Sequence, residues 1–448
     1  MKLNSLKSNA AFRAVMAAAA MALLPVSASA DGWSLSRCIE YALENNISVR
    51  QSELAVAQRT NDLSSARARR LPGVSAGASQ NFSFGRGLTA QNTYDNTNTT
   101  NTSFSLGADV NIFQGFAIKN NIEMSRLNLE AATADLERAR DDIRIAVSKA
   151  YVQILYSMEM LQVARDQVSL DSMQVERLTA MADNGKASGS EVSAQRATLA
   201  QSRLSYTQAA NNLDLAVLDM TQLLELPSPE GFSVVLPDVD EFSRTVLMSP
   251  DEIYAEAVGQ KPGVRSEQIR LDYAETNVRL AKGNFLPSLS MNAGLGSNYY
   301  TSSRGASDGF GSQIRNNFSQ YVGLSLNIPV FSRLSNRNGV RSAQISYLNQ
   351  QLQLENAQKS LYKEIQQAYY SAVASEAKLT SSIAAESSSH EAFRIAELKY
   401  QEGKAGITEY NEAKNRWTAS ASNLTQARYE YLYQTKILDF YRGLELDF

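Results

Sequence analysis

Between Phe116 and Gly185 the chain reads AIKNNIEMSRLNLEAATADLERARDDIRIAVSKAYVQILYSMEMLQVARDQVSLDSMQVERLTAMADN, residues 117–184, with no glycine and no proline. A second such run lies between Gly339 and Gly403. The residues that interrupt helices are missing from both, so each run is expected to form one continuous helix. At 1.5 Å per residue each would be a rod of roughly 100 Å. A compact domain has no use for such a rod, whereas a structure that bridges a distance does.

Both rods carry heptads. Ile122, Leu129, Leu136 and Ile143 recur every seven residues, with Ser125, Ala132, Ala139 and Ala146 three later. The pattern then slips by four and continues as Val147, Ile154, Leu161, Val168, Val175 and Ala182. The second rod repeats the phases as Val340, Tyr347, Leu354 and Leu361, then Ile365, Ala372, Leu379, Glu386, Phe393 and Tyr400. Only Glu386 breaks the apolar series. Heptads imply coiled-coil packing, a four-residue slip locally unwinds the supercoil, and small seam residues let helices approach closely.

The two halves are copies of one unit. Asn121 and Gly339, Tyr151 and Tyr369, Gly185 and Gly403, and Glu191 and Glu409 are all separated by 218 residues (403 − 185). Leu71-Pro72 and Leu286-Pro287 pair at a slightly shorter offset. Such a duplication implies two similar units related by pseudo-symmetry. The shorter helical stretches Ile47–Leu71 and Ser190–Leu226 are expected to stack end to end beside the first rod. Val264–Lys282 and Ile407–Arg442 are expected to do so beside the second. Pro227, Pro229, Pro237 and Pro250 mark the connector between copies, with a short helix at Asp251–Gly259.

Ahead of each rod the period changes from helical to alternating. Phe104, Leu106, Ala108, Val110 and Ile112 share one face of Ser103–Phe113, opposite Ser103, Ser105, Gly107, Asp109 and Asn111. The partner strand presents Val74, Ala76, Ala78, Phe82 and Phe84. In the second copy Leu289, Met291, Ala293 and Leu295 alternate, as do Val322, Leu324, Leu326, Ile328 and Val330. About ten residues is the length a tilted strand needs to cross a bilayer. Asn92–Asn101 and Thr301–Asn317 read as polar loops at a water-facing tip. Tyr299, Tyr300, Phe310, Phe318, Tyr321, Phe113 and Phe331 near the strand ends suit an aromatic girdle. Four strands cannot close a barrel, and an open edge in lipid strands backbone groups, so several chains must contribute. Three would give twelve strands.

Bulk properties exclude other classes. The net charge is −3, which lacks the basic footprint of a nucleic-acid binder. Lys2, Lys7 and Arg13, the apolar stretch Ala14–Leu24, Pro25 and Ala28-Ser29-Ala30 read as a secretory signal. Its removal leaves a charge of about −6. Cys38 is the only cysteine and His390 the only histidine. No disulfide can form within one chain, and Cys38 is expected to be a half-buried helix residue rather than an acylated one. His390 is expected to be solvated. No metal cluster, cofactor motif or phosphate-binding loop is legible, so the chain reads as a non-enzyme without cofactors.

At this point the chain resembles the TolC-type outer-membrane efflux family. The resemblance rests on the opening helix Leu35-Ser36-Arg37-Cys38-Ile39-Glu40-Tyr41-Ala42-Leu43-Glu44-Asn45-Asn46 and the strand entries Leu71-Pro72 and Leu286-Pro287. It rests also on the strand exits Asn111-Ile112-Phe113-Gln114-Gly115 and Asn327-Ile328-Pro329-Val330-Phe331. The turns Asn184-Gly185-Lys186 with Glu191-Val192-Ser193-Ala194-Gln195, and Tyr400-Gln401-Glu402-Gly403-Lys404 with Glu409, complete it.

The fold implied is mainly α with membrane β: duplicated long-helix coiled coils and four strands per chain, forming a 12-stranded trimeric barrel. It divides the chain into a signal peptide (1–30), N-terminal helices of the first repeat (31–71), membrane hairpin 1 (72–113) and periplasmic helical hairpin 1 (114–226). An equatorial connector (227–262), a second-repeat helix (263–286), membrane hairpin 2 (287–331), and periplasmic helical hairpin 2 with the C-terminal end (332–448) follow. The resemblance implies a homotrimer in outer-membrane lipid, acting as a passive duct for efflux or type I secretion. A periplasmic adaptor would dock at the turns, Gly185 and Gly403, and join it to an inner-membrane transporter of RND, ABC or MFS type. The matching gate acids are Glu409 and Glu412, which read equally well as exposed helix glutamates. The matching latch is Tyr400 with Glu191, and Lys186 or Lys404 could pair with Glu191 or Glu409. The family's arginine two residues after the second glycine is Ala405 here. A trimeric coiled-coil surface adhesin or structural stalk would use the same rods without a channel.

Overall fold

The computed structural model describes residues 32–88, 93–236, 247–303 and 308–446; the expected signal segment lies outside them. The first repeat runs α1 (Leu35–Asn45), α2 (Ile47–Ala68), β1 (Gly73–Ser83), β2 (Arg86–Leu88), β3 (Tyr94–Asn96), β4 (Thr99–Gln114), α3 (Ala117–Asp183) and α4 (Gly189–Leu223). The second runs α5 (Pro250–Ala257), α6 (Pro262–Gly283), β5 (Ser288–Ser302), α7 (Phe310–Asn316), β6 (Ser319–Asn327), α8 (Ser335–Gln401) and α9 (Ile407–Tyr441). The rods α3 and α8 are each 67 residues long, so each spans roughly 100 Å. α2 and α4 lie along α3, and α6 and α9 lie along α8, while α3 also packs against α6 and α9.

Local chemistry sets the breaks between helices. Asn46 ends α1 and starts α2: its Oδ1 accepts from the Ser48 N–H at 2.9 Å, and its Nδ2 donates to the Leu223 carbonyl at 3.0 Å. One buried amide therefore caps α2 and ties it to the far end of α4. The long helices end at Gly185 and Gly403, both left-handed at φ 74° and 70°. The Lys186 N–H reaches Met181 O and the Gly185 N–H reaches Ala182 O; Lys404 and Gly403 repeat this with Lys399 and Tyr400. These paired bonds satisfy the orphan carbonyls of each helix end in the same way. At the opposite ends Gly115-Phe116 and Arg333-Leu334 are left-handed, at φ 55°, 63°, 50° and 64°. They turn each strand into its rod at the same 218-residue offset.

The four main strands form one antiparallel sheet in the order β1-β4-β5-β6. Its register aligns Val74 with Ala108, Leu106 with Leu295, Met291 with Leu324 and Ala293 with Val322. One face is therefore apolar and the other Gly, Ser and Asn. That apolar face is bare: Val74, Val322 and Leu324 are 67 %, 72 % and 68 % exposed. β1 and β6 leave their outer edges without a neighbouring strand among the described residues.

Several expectations need correction. A bulge at Ile112 shifts the register, so Phe113, not Ile112, faces Leu289 on the apolar side. β4 begins at Thr99 inside the segment read as a polar loop, and β2 and β3 form a small hairpin above it. β6 stops at Asn327, because Pro329 brings no N–H to the ladder. The segment 301–317 contains α7. There the Gln313 amide donates to Tyr300 O at 2.9 Å and accepts from Tyr300 N at 2.8 Å, and Asn317 donates to Asn298 O at 2.8 Å. These side chains occupy the edge of β5 beyond the start of β6, as strand residues otherwise would.

Two apolar cores hold the helices together. One gathers Leu35, Cys38, Val147, Tyr151, Ile154, Leu155 and Met220. The other gathers Ile253, Ala257, Ile365, Ala372 and Leu438 beside the connector. Cys38 is fully buried rather than half-buried, and burial pushes its thiol up to about 12. A sulfur enclosed this way leaves no room for an acyl chain.

Candidate functional site

The turns at Gly185 and Gly403 place the sequence-predicted gate residues at one end of the rods. Glu191 belongs to a capping box that starts α4: its carboxylate accepts from the Ser188 N–H at 2.7 Å, and Ser188 Oγ accepts from the Glu191 N–H at 3.2 Å. The Ser188 backbone bond, then its hydroxyl, holds the Glu191 carboxyl below its ordinary range. The Tyr400 hydroxyl instead accepts from Gln174 Nε2 at 2.6 Å. Tyr400 and Glu191 are thus not joined directly. The Arg177 guanidinium lies 5.0 Å over the Tyr400 ring. Burial raises the Tyr400 pKa.

Glu409 meets Lys399 Nζ at 3.4 Å, and Lys404 pairs with Glu402 at 2.6 Å. Neither lysine–glutamate pairing foreseen for Lys404 is made. Glu412 and Lys186 are exposed. All these charges stand in water, where an ion pair is worth little.

The strongest polar site was not legible as a motif. Asp171 of α3 and Lys414 of α9 form a salt bridge with both side chains 0 % exposed. The Asp171 carboxylate also accepts from Gln167 at 3.0 Å, Gln195 at 3.1 Å and Ser202 at 2.5 Å. Gln195 in turn accepts from Asn411 at 3.1 Å, and Gln167 from Thr418 at 2.8 Å. Further along the same α3–α9 seam Tyr429 donates to Glu159 at 2.8 Å. Three helices therefore meet on one satisfied carboxylate.

The duplication held a signal for this site. Asp171 and Ser202 correspond, at the 218-residue offset, to Ser389 and Ser420, whose hydroxyls also bond one another. The first repeat carries an acid where the second carries a hydroxyl, and Lys414 supplies the matching cation. The heptad reading centred the lower seam on Val168, Val175 and Ala182, all only half-buried; Asp171, Gln174 and Leu178 are the buried residues there.

Within the second coil the contacts are aromatic. Tyr400 meets Tyr410 at 5.2 Å, Tyr410 meets Phe393 at 5.5 Å, and Phe393 stacks on Trp417 at 5.1 Å. Trp417 donates to Glu386 at 2.9 Å, which accounts for the one break in the apolar heptads. His390, although exposed, lies 5.0 Å from the Trp417 ring.

An exposed apolar sheet with open edges, continued by coiled rods of membrane-to-membrane scale, defines a chain of the channel-forming outer-membrane class. The chain belongs to the outer membrane efflux protein family, whose sequence model matches residues 38–225 and 253–443. Its relatives include TolC of Vibrio cholerae serotype O1, 23% identical over 336 residues, covering 73% of this chain and 74% of the relative. They include the outer membrane efflux protein BepC of Brucella suis biovar 1, 21% identical over 324 residues, 71% and 64% of the two chains. The Campylobacter jejuni CmeC outer membrane channel has the same fold, with a TM-score of 0.79 at 17% identity over 91% of this chain and 85% of that one. The protein is an outer-membrane efflux channel of a Gram-negative bacterium. The adhesin or stalk alternative gains nothing from these relatives.

Proposed function

We propose that three copies close the sheet into a 12-stranded barrel and their coils into a tunnel across the periplasm. The observation that carries this is the sheet itself: an exposed apolar face with two edges unpaired among the described residues, which lipid and neighbouring copies would satisfy. Substrates pass through without chemical change, so the chain is not an enzyme. A periplasmic adaptor docks at the Gly185 and Gly403 turns and links the duct to an inner-membrane transporter of RND, ABC or MFS type. Glu409 and Glu412 line the narrow mouth. Six carboxylates there favour cations and disfavour bulky anions. Tyr400 remains the latch residue, with Gln174 as its partner; Glu191, Lys186 and Lys404 crown the turns where the adaptor arrives.

Reconstitution into planar bilayers tests this reading. The purified protein is expected to give discrete single-channel steps with cation preference, and Glu409→Gln with Glu412→Gln is expected to reduce that preference. A trimer that inserts without conducting would restore the stalk alternative.

A further inference from the structure

We propose that the buried Asp171–Lys414 pair is a fixed pivot, and that gate opening moves only the coil segments between it and the turns. This rests on the duct reading above. Two kinds of polar contact join coil α3/α4 to coil α8/α9 or brace the tip. Near the turns lie Lys399–Glu409, 52 % and 54 % exposed, and the part-buried Gln174–Tyr400 bond. Water replaces such contacts at little cost. One to two helical turns further in, the exposure falls to zero at Asp171 and Lys414. Separating that pair would strand two charges where water does not reach, and a buried ion pair strongly resists losing one partner.

The surrounding groups reinforce the pin. Gln167, Gln195 and Ser202 saturate the carboxylate from α3 and α4. Asn411 and Thr418 flank Lys414 on α9 by about one turn each way and bond to those same glutamines. The pin is therefore a three-helix junction rather than a single contact. The second repeat has only the Ser389–Ser420 hydroxyl pair at the equivalent place. The departure from pseudo-symmetry makes the junction specific to the contact of α9 with α3. Asp171 lies 14 residues before Gly185, so the segment free to swing is roughly 20 Å of α3. On the turn side of the pivot the rings of Tyr400, Tyr410 and Phe393 keep α8 and α9 together.

Two double-cysteine variants of the full chain, in a Cys38→Ser background, separate the alternatives. Gln174→Cys with Tyr400→Cys lies on the turn side of the pivot; Glu159→Cys with Tyr429→Cys, outside the pin on the same α3–α9 seam, lies on the far side. Each is reconstituted, opened by voltage, and treated with a short reducible bis-methanethiosulfonate. Bridging 174 to 400 is expected to cut open-state conductance at least about tenfold, and reductant to restore it. Bridging 159 to 429 is expected to leave conductance within about twofold. Equal block by both bridges would show that the coils part at the Asp171–Lys414 level, and block by neither would show that the turnward segment does not move; either overturns the pivot. A reduced protein that conducts at no voltage removes the duct reading instead.

Discussion

Lys414→Met removes the cation and leaves the Asp171 carboxylate buried. Three donors remain on it: Gln167 at 3.0 Å, Gln195 at 3.1 Å and Ser202 at 2.5 Å. Breaking a buried ion pair by deleting one partner costs about 3–5 kcal/mol, and the surviving donors place this case near the lower end. At 1.36 kcal/mol per tenfold, about 3 kcal/mol is roughly a 10²-fold rise in local opening. Amide exchange followed by mass spectrometry reads that rise directly in α9 around Ala413–Trp417, provided reclosing is fast. Asp171→Asn combined with Lys414→Met removes both charges and keeps one carbonyl oxygen, which can accept from two of the three donors. That double variant is expected to return exchange most of the way to the parent rate. Exchange within about threefold of the parent in Lys414→Met, or no recovery in the double variant, would refute the reasoning.

Other consequences follow from the same contacts. A Cβ at Gly283 would lie 2.2 Å from Gly115 O, so Gly283→Ala should destabilise each chain by about 1–3 kcal/mol in thermal unfolding. Gly259→Ala, with open space around its Cβ, is the control and should be silent. Cys38, with its thiol pushed up to about 12, should resist iodoacetamide at mildly alkaline pH until the protein is unfolded. The Glu191 carboxyl has a lowered pKa in the folded chain, so its capping contribution is complete at neutral pH and fades as pH falls below the ordinary 4.5 and through the folded value. Amide protection at residues 189–192, corrected for intrinsic rates, should drop over that range; Ser188→Ala, which keeps the backbone N–H bond, should only weaken the pH dependence, and Glu191→Gln should abolish it.

The rods, their duplication and the strand faces were legible because each rests on a period: heptads in Ile122–Ala182, alternation in Ser103–Val110. What escaped had no period. Thr99–Asn101 reads as loop by composition, yet Thr100 and Asn101 pair with Thr301 and Tyr300, and only the partner strand decides that. The bulge at Ile112 likewise depends on register. Asp171 belongs to no motif in the sequence. Its burial comes from Lys414, more than two hundred residues away, and from α4 folding back to deliver Gln195 and Ser202. For the Tyr400–Glu191 pairing carried over from the family, the Tyr400 hydroxyl takes the Gln174 amide instead, while the Glu191 carboxylate accepts from Ser188.

The lipid contact of the sheet is tested most directly by depth quenching. A fluorophore on Leu324→Cys, on the apolar face of β6, should be strongly quenched by brominated lipid in reconstituted membranes. The same label on Ser325→Cys, one residue on and on the opposite face, should be quenched by aqueous iodide and not by the lipid. Equal behaviour at the two positions, or the reverse pattern, would contradict a barrel that turns this face to the bilayer.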